Sequence, residues 1–210
     1  MRRVLPAVLP TFVTTTIVSL VLAVSAALPV VLPAASAAVP VNPTERSSLL
    51  AVPQGCGQFL AIKSVAANRY VSVELDYAGG GWAMLRARAT GIGPWEEFSI
   101  CGLPGNLAAL WSVAAGRYVS MEYDYGGTGW AMLRARSTTH DAWEHFSLEP
   151  IGNCGELCTS IRSAFTDRLV SAELDYDGGD YGMLRARTTG LPGAWERFVI
   201  EYLPVSRGSR

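Results

Sequence analysis

The sequence predicts an all-β fold of three pseudo-symmetric four-stranded repeats, and three observations carry that prediction. Arg69-Tyr-Val-Ser-Val-Glu74 returns as Arg117-Tyr-Val-Ser-Met-Glu122 and Arg168-Leu-Val-Ser-Ala-Glu173, at offsets of 48 and 51 residues. Met84-Leu-Arg-Ala-Arg88 returns at the same offsets as Met132-Leu-Arg-Ala-Arg136 and Met183-Leu-Arg-Ala-Arg187. Each copy then closes on Trp-Glu-x-Phe, at Trp95 to Phe98, Trp143 to Phe146 and Trp195 to Phe198. A fixed period over three copies marks one supersecondary unit repeated, because each unit buries its apolar face only against its neighbours.

Residues 1–38 stand outside that design. Arg2 and Arg3 precede a long apolar stretch ending in Ala35-Ser36-Ala37, the small-x-small pattern of a cleaved secretory signal peptide. Thr11 to Leu28 runs without charge at about the lower length of a membrane span, so an uncleaved anchor is the competing reading. Pro29 and Pro33 ahead of the cleavage-like triplet favour removal, and the chain beyond has no second long apolar run. The expectation is a secreted, extracellular product without membrane contact once the signal is removed. Residues 39–55, with Pro40, Pro43, Pro53, Ser47 and Ser48, read as a linker. The repeats occupy 56–203, as about 56–100, 101–151 and 152–203, and 204–210 form a C-terminal tail.

Within each copy, short β-type runs alternate with Gly, Pro and Asp punctuation. The first copy predicts strands near 59–65, 69–75, 82–88 and 96–101, and the others follow by offset, for about twelve strands. Alternation sets Val71, Val73, Leu75, Leu85 and Ala87 inward. A symmetric hairpin register then places Glu74 opposite Arg86 and Ser72 opposite Arg88, with Glu122 opposite Arg134 and Glu173 opposite Arg185. A propeller needs at least four blades, and only three copies are present. Three four-stranded units instead close as a β-trefoil, in which six strands form a short barrel and three hairpins cap one end. The Trp-Glu-x-Phe aromatics, Trp95, Trp143 and Trp195 included, are expected to plug that barrel, which side chains must fill.

Cys56, Cys101, Cys154 and Cys158 all fall in the exported portion, where disulfides persist. Cys56 opens the first repeat and Cys101 follows its last strand, so antiparallel first and last strands favour Cys56–Cys101, leaving Cys154 with Cys158. Two other pairings stay formally open. A zinc site competes weakly, since the histidines, His140 and His145, lie in another segment. Taking Arg2 and Arg3 from 17 Lys+Arg leaves 15 against 18 Asp+Glu, a net charge near −3. That balance gives no basic footprint for nucleic acid.

Arg-Tyr-Val-Ser-x-Glu, Leu-Arg-Ala-Arg and Gly91-Ile-Gly-Pro-Trp-Glu-Glu-Phe98 resemble the repeat unit of fascin-like β-trefoil domains, and the resemblance covers all three copies over 56–203. That family includes cytoskeletal actin-bundling proteins and secreted bacterial modules, some attached to carbohydrate-active enzymes. The resemblance therefore implies a trefoil that binds either glycan or a protein filament. This chain has one trefoil rather than a tandem array and carries an export signal, and both departures argue against actin bundling. It also lacks the Gln-x-Trp signature of ricin-type lectin trefoils, so their sugar pocket does not carry over.

The segment least required by packing joins the second and third strands of each copy. It reads Asp76-Tyr77-Ala-Gly-Gly-Gly-Trp82, Asp124-Tyr125-Gly-Gly-Thr-Gly-Trp130 and Asp175-Tyr176-Asp-Gly-Gly-Asp-Tyr181. Glycines allow close approach of a partner, while Asp supplies acceptors and Tyr and Trp supply flat apolar faces. The expectation is that Tyr77, Trp82, Tyr125, Trp130, Tyr176 and Tyr181 stack on sugar rings. Asp76, Asp124 and Asp175 would accept hydrogen bonds from an extracellular polysaccharide or glycoconjugate. The plainer account is that Asp and Gly make the turn and the aromatics pack over the barrel end. A protein-interaction module, docking on a filament or a secreted protein, is the alternative. Asp175, Asp177 and Asp180 crowd three carboxylates together without the spacing or distal Glu of an EF-hand loop. Neither metal nor other cofactor is expected. Glu96 with Glu97, or His140 near Asp141 and Glu144, are the groups a hydrolase would have to use, but no motif surrounds them, so a non-catalytic protein is expected.

Overall fold

The computed structural model describes residues 53–204 apart from 153 and 156. The signal segment, most of the linker read over 39–55 and all of the tail beyond 204 lie outside the described residues. The first repeat supplies β1 (Cys56–Ser64), β2 (Arg69–Glu74), β3 (Met84–Ala89) and β4 (Phe98–Gly102). The second supplies β5 (Leu107–Ser112), β6 (Arg117–Glu122), β7 (Met132–Ser137) and β8 (Phe146–Pro150). The third supplies β9 (Cys158–Ser163), β10 (Arg168–Glu173), β11 (Met183–Thr188) and β12 (Phe198–Tyr202).

Pairing closes two rings. β1–β4, β4–β5, β5–β8, β8–β9, β9–β12 and β12–β1 are all antiparallel and form a six-stranded barrel. The hairpins β2–β3, β6–β7 and β10–β11 meet one another through Met84 opposite Arg134, Arg185 opposite Met132 and Met183 opposite Arg86. A barrel capped by a triplet of hairpins is a β-trefoil, as the repeats predict. Closure leaves no unpaired edge in the barrel, which removes the usual hazard of a small sheet protein.

The core is written in triplicate. Phe98, Phe146 and Phe198 are wholly buried at the starts of β4, β8 and β12, and Val71, Val119 and Val170 join Leu85, Leu133 and Leu184 in the same cluster. Burying each such phenylalanine side chain stabilises the fold by about 1.5–3 kcal/mol relative to leaving it exposed. Of the residues expected inward, Val71, Val73, Leu85 and Ala87 are buried, and Leu75 packs half-buried against the cluster.

The tryptophans of Trp-Glu-x-Phe do not plug the barrel. Trp95, Trp143 and Trp195 are half-exposed, and the phenylalanine three residues on is the interior member. In the first two copies the one-turn 3-10 helices Pro94–Glu96 and Ala142–Glu144 carry Trp95 and Trp143 ahead of the strand that enters the barrel, and a turn does so for Trp195. The intervening glutamate is the buried polar member. Glu96 accepts from the Gly93 N–H at 2.7 Å, Glu144 from Asp141 at 2.8 Å and Glu196 from Gly193 at 2.9 Å.

The hairpin register also differs from the symmetric one. Ser72 lies opposite Arg86 and Glu74 opposite Met84, and the other copies repeat this as Ser120–Arg134, Glu122–Met132, Ser171–Arg185 and Glu173–Met183. A tighter turn is the cause, because Ala83, Ala131 and Gly182 donate their N–H groups back to Glu74, Glu122 and Glu173 at 2.8, 2.9 and 2.8 Å. Each glutamate instead takes both oxygens to the next arginine along, in the bidentate pairs Glu74–Arg88, Glu122–Arg136 and Glu173–Arg187. These carboxylates are 1% exposed and their guanidiniums 43–44% exposed.

The disulfides Cys56–Cys101 and Cys154–Cys158 are both formed, in the favoured pairing. The first ties β1 to β4 where Cys56 lies opposite Cys101. Among the described residues, no helix is long and apolar enough to cross a membrane.

Two predictions follow from these contacts. Arg136→Ala strands the Glu122 carboxylate in the interior, and the cost expected is about 3 kcal/mol, the lower end for a broken buried pair because the arginine side faces water. Urea unfolding of the variant measures it, and a cost below half that figure would show that the pair is dispensable. Glu149 accepts from the Arg162 Nε at 2.9 Å across β8 and β9. That hydrogen bond, against the opposing effect of burial, holds its carboxyl below the ordinary value of 4.5. A depressed folded-state value means that the stabilisation is complete above pH 4.5 and is lost as the pH falls through the lower folded value. Melting curves of Glu149→Gln should therefore lose part of the acid-side dependence seen in the parent and stay parallel to it above that range.

Candidate functional site

Each turn between the inner strands of a hairpin opens on a glycine with positive φ, +59° at Gly79 and Gly127 and +58° at Gly178, and winds through one turn of 3-10 helix. The last glycine of the turn brings backbone against a ring. A Cβ on Gly81 would stand 3.2 Å from Tyr77 Cδ2, and one on Gly129 would stand 3.2 Å from Tyr125 Cδ1. These glycines let the tyrosine fold back beneath its own turn.

The tyrosines thus point inward. Tyr77, Tyr125 and Tyr176 pack half-buried against Met84, Met132 and Met183. Each hydroxyl accepts a hydrogen bond from the arginine of its own hairpin: Tyr77 from Arg86, Tyr125 from Arg134 and Tyr176 from Arg185. The same arginines reach the neighbouring repeat, donating Nε–H groups to the carbonyls of Tyr181 at 2.8 Å, Trp82 at 2.7 Å and Trp130 at 2.8 Å. Arg86 adds a bond to the Gly178 carbonyl at 3.1 Å. Tyr77, Tyr125 and Tyr176, expected to stack on a sugar or else to pack over the barrel end, thus lie half-buried with their hydroxyls engaged by arginines that join the repeats.

The outer members of each turn remain available. Asp76, Asp124 and Asp175 are exposed, Trp82 and Tyr181 are 37% and 40% exposed, and Trp130 is half-buried. Each copy thus carries its Asp and its turn-ending aromatic on the same hairpin turn. On the pseudo-threefold axis the three turns frame a cavity of about 180 Å³ lined by the methionines, with Gly80, Thr128 and Asp180 at its mouth. A larger, mainly apolar hollow of about 330 Å³ opens at the other end of the barrel, where Ile100, Leu107, Leu148, Leu157, Ile200 and Tyr202 converge.

One feature of the surface was not anticipated from the motifs. Tyr123 and Phe165, 41% and 46% exposed, stand with ring centroids 5.3 Å apart beside Trp130 and Trp143. The signal available in the sequence is a departure from the repeat: Tyr123 replaces Leu75 and Leu174, and Phe165 replaces Ala66 and Ala114.

The residues that a hydrolase would use are engaged as follows. Glu96 and Glu144 cap their turns through backbone N–H groups, and burial, with the neighbouring Glu96 carboxylate, pushes the Glu97 carboxyl up. His140 Nδ1 lies 3.4 Å from His145 Nε2, with the Tyr118 ring edge-on to His140 at 5.1 Å. Asp175, Asp177 and Asp180 are all exposed, and among the described residues no group of three His, Cys, Asp or Glu side chains is arranged to hold a metal ion.

The barrel and its cap define the class of protein, a β-trefoil, with exposed aromatic and carboxylate groups on the hairpin rim among others. No protein-family model and no curated protein matches the chain. Solved structures resemble it in fold. The designed threefold-symmetric protein ThreeFoil aligns with a TM-score of 0.57 at 12% identity, over 69% of this chain and 99% of that one. The BEL β-trefoil gives 0.54 at 13% identity, over 73% and 99%. The ricin B-like lectin of Macrolepiota procera, solved with lactose, gives 0.51 at 16% identity, over 72% and 99%.

If the tyrosines serve the lock between repeats, Tyr125→Phe removes one acceptor of the buried Arg134 guanidinium and destabilises the protein by about 1–3 kcal/mol. Chemical denaturation reads this directly, and an unchanged midpoint would free Tyr125 for another role.

Proposed function

We propose that the chain is a secreted, non-catalytic module of the fascin-like kind that binds polysaccharide or glycoconjugate at the rim of its hairpin cap. The observation that carries this reading is that each turn presents an exposed Asp, at Asp76, Asp124 and Asp175, and closes on an aromatic, exposed at Trp82 and Tyr181 and half-buried against the core at Trp130. A flat aromatic face buries the C–H side of a sugar ring, and a carboxylate accepts from its hydroxyls. The backbone carrying each aromatic is anchored by an arginine of the adjacent repeat, so the platform is held in place before ligand arrives. Up to three weak sites on one body raise the effective concentration of a polymeric ligand. Export is supported by the signal-like segment over 1–38 and by two disulfides, which persist in oxidising compartments. The Macrolepiota procera lectin shares the fold, and it carries lactose in its structure.

The test is retention of the exported protein on insoluble polysaccharides and on a glycan array. The parent should bind at least one polymer. The combined substitution Trp82→Ala, Trp130→Ala and Tyr181→Ala should abolish retention while the cooperative melting transition is kept. No retention of the parent on any polymer would remove the reading, and co-sedimentation with a protein filament that survives the triple substitution would replace it with protein docking.

A further inference from the structure

The three rims are not equivalent. At the seam where the second hairpin meets the third repeat, Tyr123 lies 5.3 Å from Phe165, 6.0 Å from Trp130 and 6.4 Å from Trp143, and Trp143 lies 6.2 Å from Phe165. The Arg168 guanidinium sits 5.4 Å above the Trp130 ring and is steadied by a bond from its Nη1 to the Arg187 carbonyl at 2.7 Å.

Superposing the repeats on Arg69, Arg117 and Arg168 identifies the corresponding positions. The first seam has Leu75, Trp82 and Trp95 facing Ala114, and the third has Leu174, Tyr181 and Trp195 facing Ala66. Leu75 and Leu174 are half-buried on the main core, so the scaffold closes with leucine there. Arg117 and Arg69 turn to carbonyls of their own loops, Gly116 at 2.8 Å and Asn68 at 3.0 Å, and not to a ring. Tyr123 and Phe165 therefore exceed what the fold requires. Two large apolar side chains, each more than two-fifths exposed, are set side by side at one place. An exposed contiguous apolar patch on a soluble protein marks an interaction site.

We infer that this seam is the principal ligand site, and that its ligand is a neutral polysaccharide whose pyranose rings stack on Tyr123 and Phe165. The inference rests on the glycan-binding reading above and narrows it to one rim. Asp124 and Asp141 are exposed and adjoin Tyr123 and Trp143 in the chain, Asp167 is paired with Arg162 at 3.6 Å, and Arg168 is held over Trp130. Anionic polymers meet net negative charge at this surface and are disfavoured. Hydroxyl-rich neutral chains find both acceptors, at Asp124, and a donor, at Arg168.

The experiment compares two double variants of the exported protein by affinity electrophoresis in gels containing xylan, laminarin, galactan or mixed-linkage β-glucan, with pectate and a sulfated galactan as anionic counterparts. Tyr123→Leu with Phe165→Ala installs the residues that the chain itself uses at the other two seams. It should weaken retardation by about tenfold or more. Trp82→Ala with Tyr181→Ala, at the two lesser rims, should weaken it by a clearly smaller factor, about threefold. If the Tyr123/Phe165 variant melts early, Phe165→Ala alone carries the same comparison, since Ala already occupies that position in two copies. Equal loss in both double variants, or loss only in the Trp82/Tyr181 variant, overturns the single principal site and leaves glycan binding standing. Tighter retardation by the anionic polymers overturns the ligand class. Failure of the parent to be retarded by any polymer overturns both the inference and the reading beneath it.

Discussion

A guanidinium that leaves its own hairpin and binds backbone on the next is the interaction from which the rest of this structure follows. Arg86, Arg134 and Arg185 do this in a cycle, supported by the Ala87, Ala135 and Ala186 N–H groups bonding the carbonyls of Gly182, Ala83 and Ala131 at 2.7, 2.9 and 2.9 Å. No hairpin of two strands is stable alone in water, and three of them need something to hold one against another. The methionines beneath contribute packing but little direction, since their side chains are flexible. The arginine fork supplies geometry: it meets carbonyl and phenol at fixed angles and stays charged at any working pH.

That lock divides the turn residues into two groups. The tyrosine following each Asp is drawn beneath the turn as a partner for the arginine, and each turn-ending Trp or Tyr has its carbonyl taken by an arginine of another repeat. With the carbonyl fixed, the side chains of Trp82 and Tyr181 stand exposed, while that of Trp130 packs against the core. An aromatic ring whose backbone is anchored loses little entropy on meeting a ligand, which is the condition under which a shallow surface site gains affinity.

Much of this was legible in the sequence, for a definite reason in each case. Repetition is a property of the chain, so three copies of Arg-x-Val-Ser-x-Glu announced the trefoil, and Cys56 and Cys101 at the two ends of one repeat announced their bond. Period-two alternation told which faces of the hairpins hold Val71, Val73, Leu85 and Ala87. It could not tell register, because register depends on how many residues the turn consumes, and the return bond from Ala83 to Glu74 is invisible to a pattern of apolar and polar letters. Nor could it tell that the opposite face of the hairpins is also covered, with Glu74, Ser72 and Arg86 buried. Packing of Tyr77 over the barrel end was one of two readings left open, and the hydrogen bonds of Tyr77 and Glu96 were not legible, for one reason. Both are polar groups satisfied inside the protein, and sequence alone does not distinguish a satisfied buried group from an available surface one.

Pseudo-symmetry also explains why departures from it are informative. A side chain in the closed interior faces its counterparts from the other repeats, so a change in one copy disturbs the fit of all three. The identical phenylalanines at 98, 146 and 198 and the leucines at 85, 133 and 184 are the result. The third join shows how little tolerance there is: a Cβ on Gly182 would stand 2.8 Å from the Ala87 carbonyl oxygen, although Ala83 and Ala131 occupy the same position in the other copies. Positions on the rim are under no such constraint. Leucine, tyrosine and leucine at 75, 123 and 174, and alanine, alanine and phenylalanine at 66, 114 and 165, close the same barrel. The core also admits differences, as at the equivalent buried Val73, Met121 and Ala172, but the aromatic differences coincide at the seam between the second and third repeats.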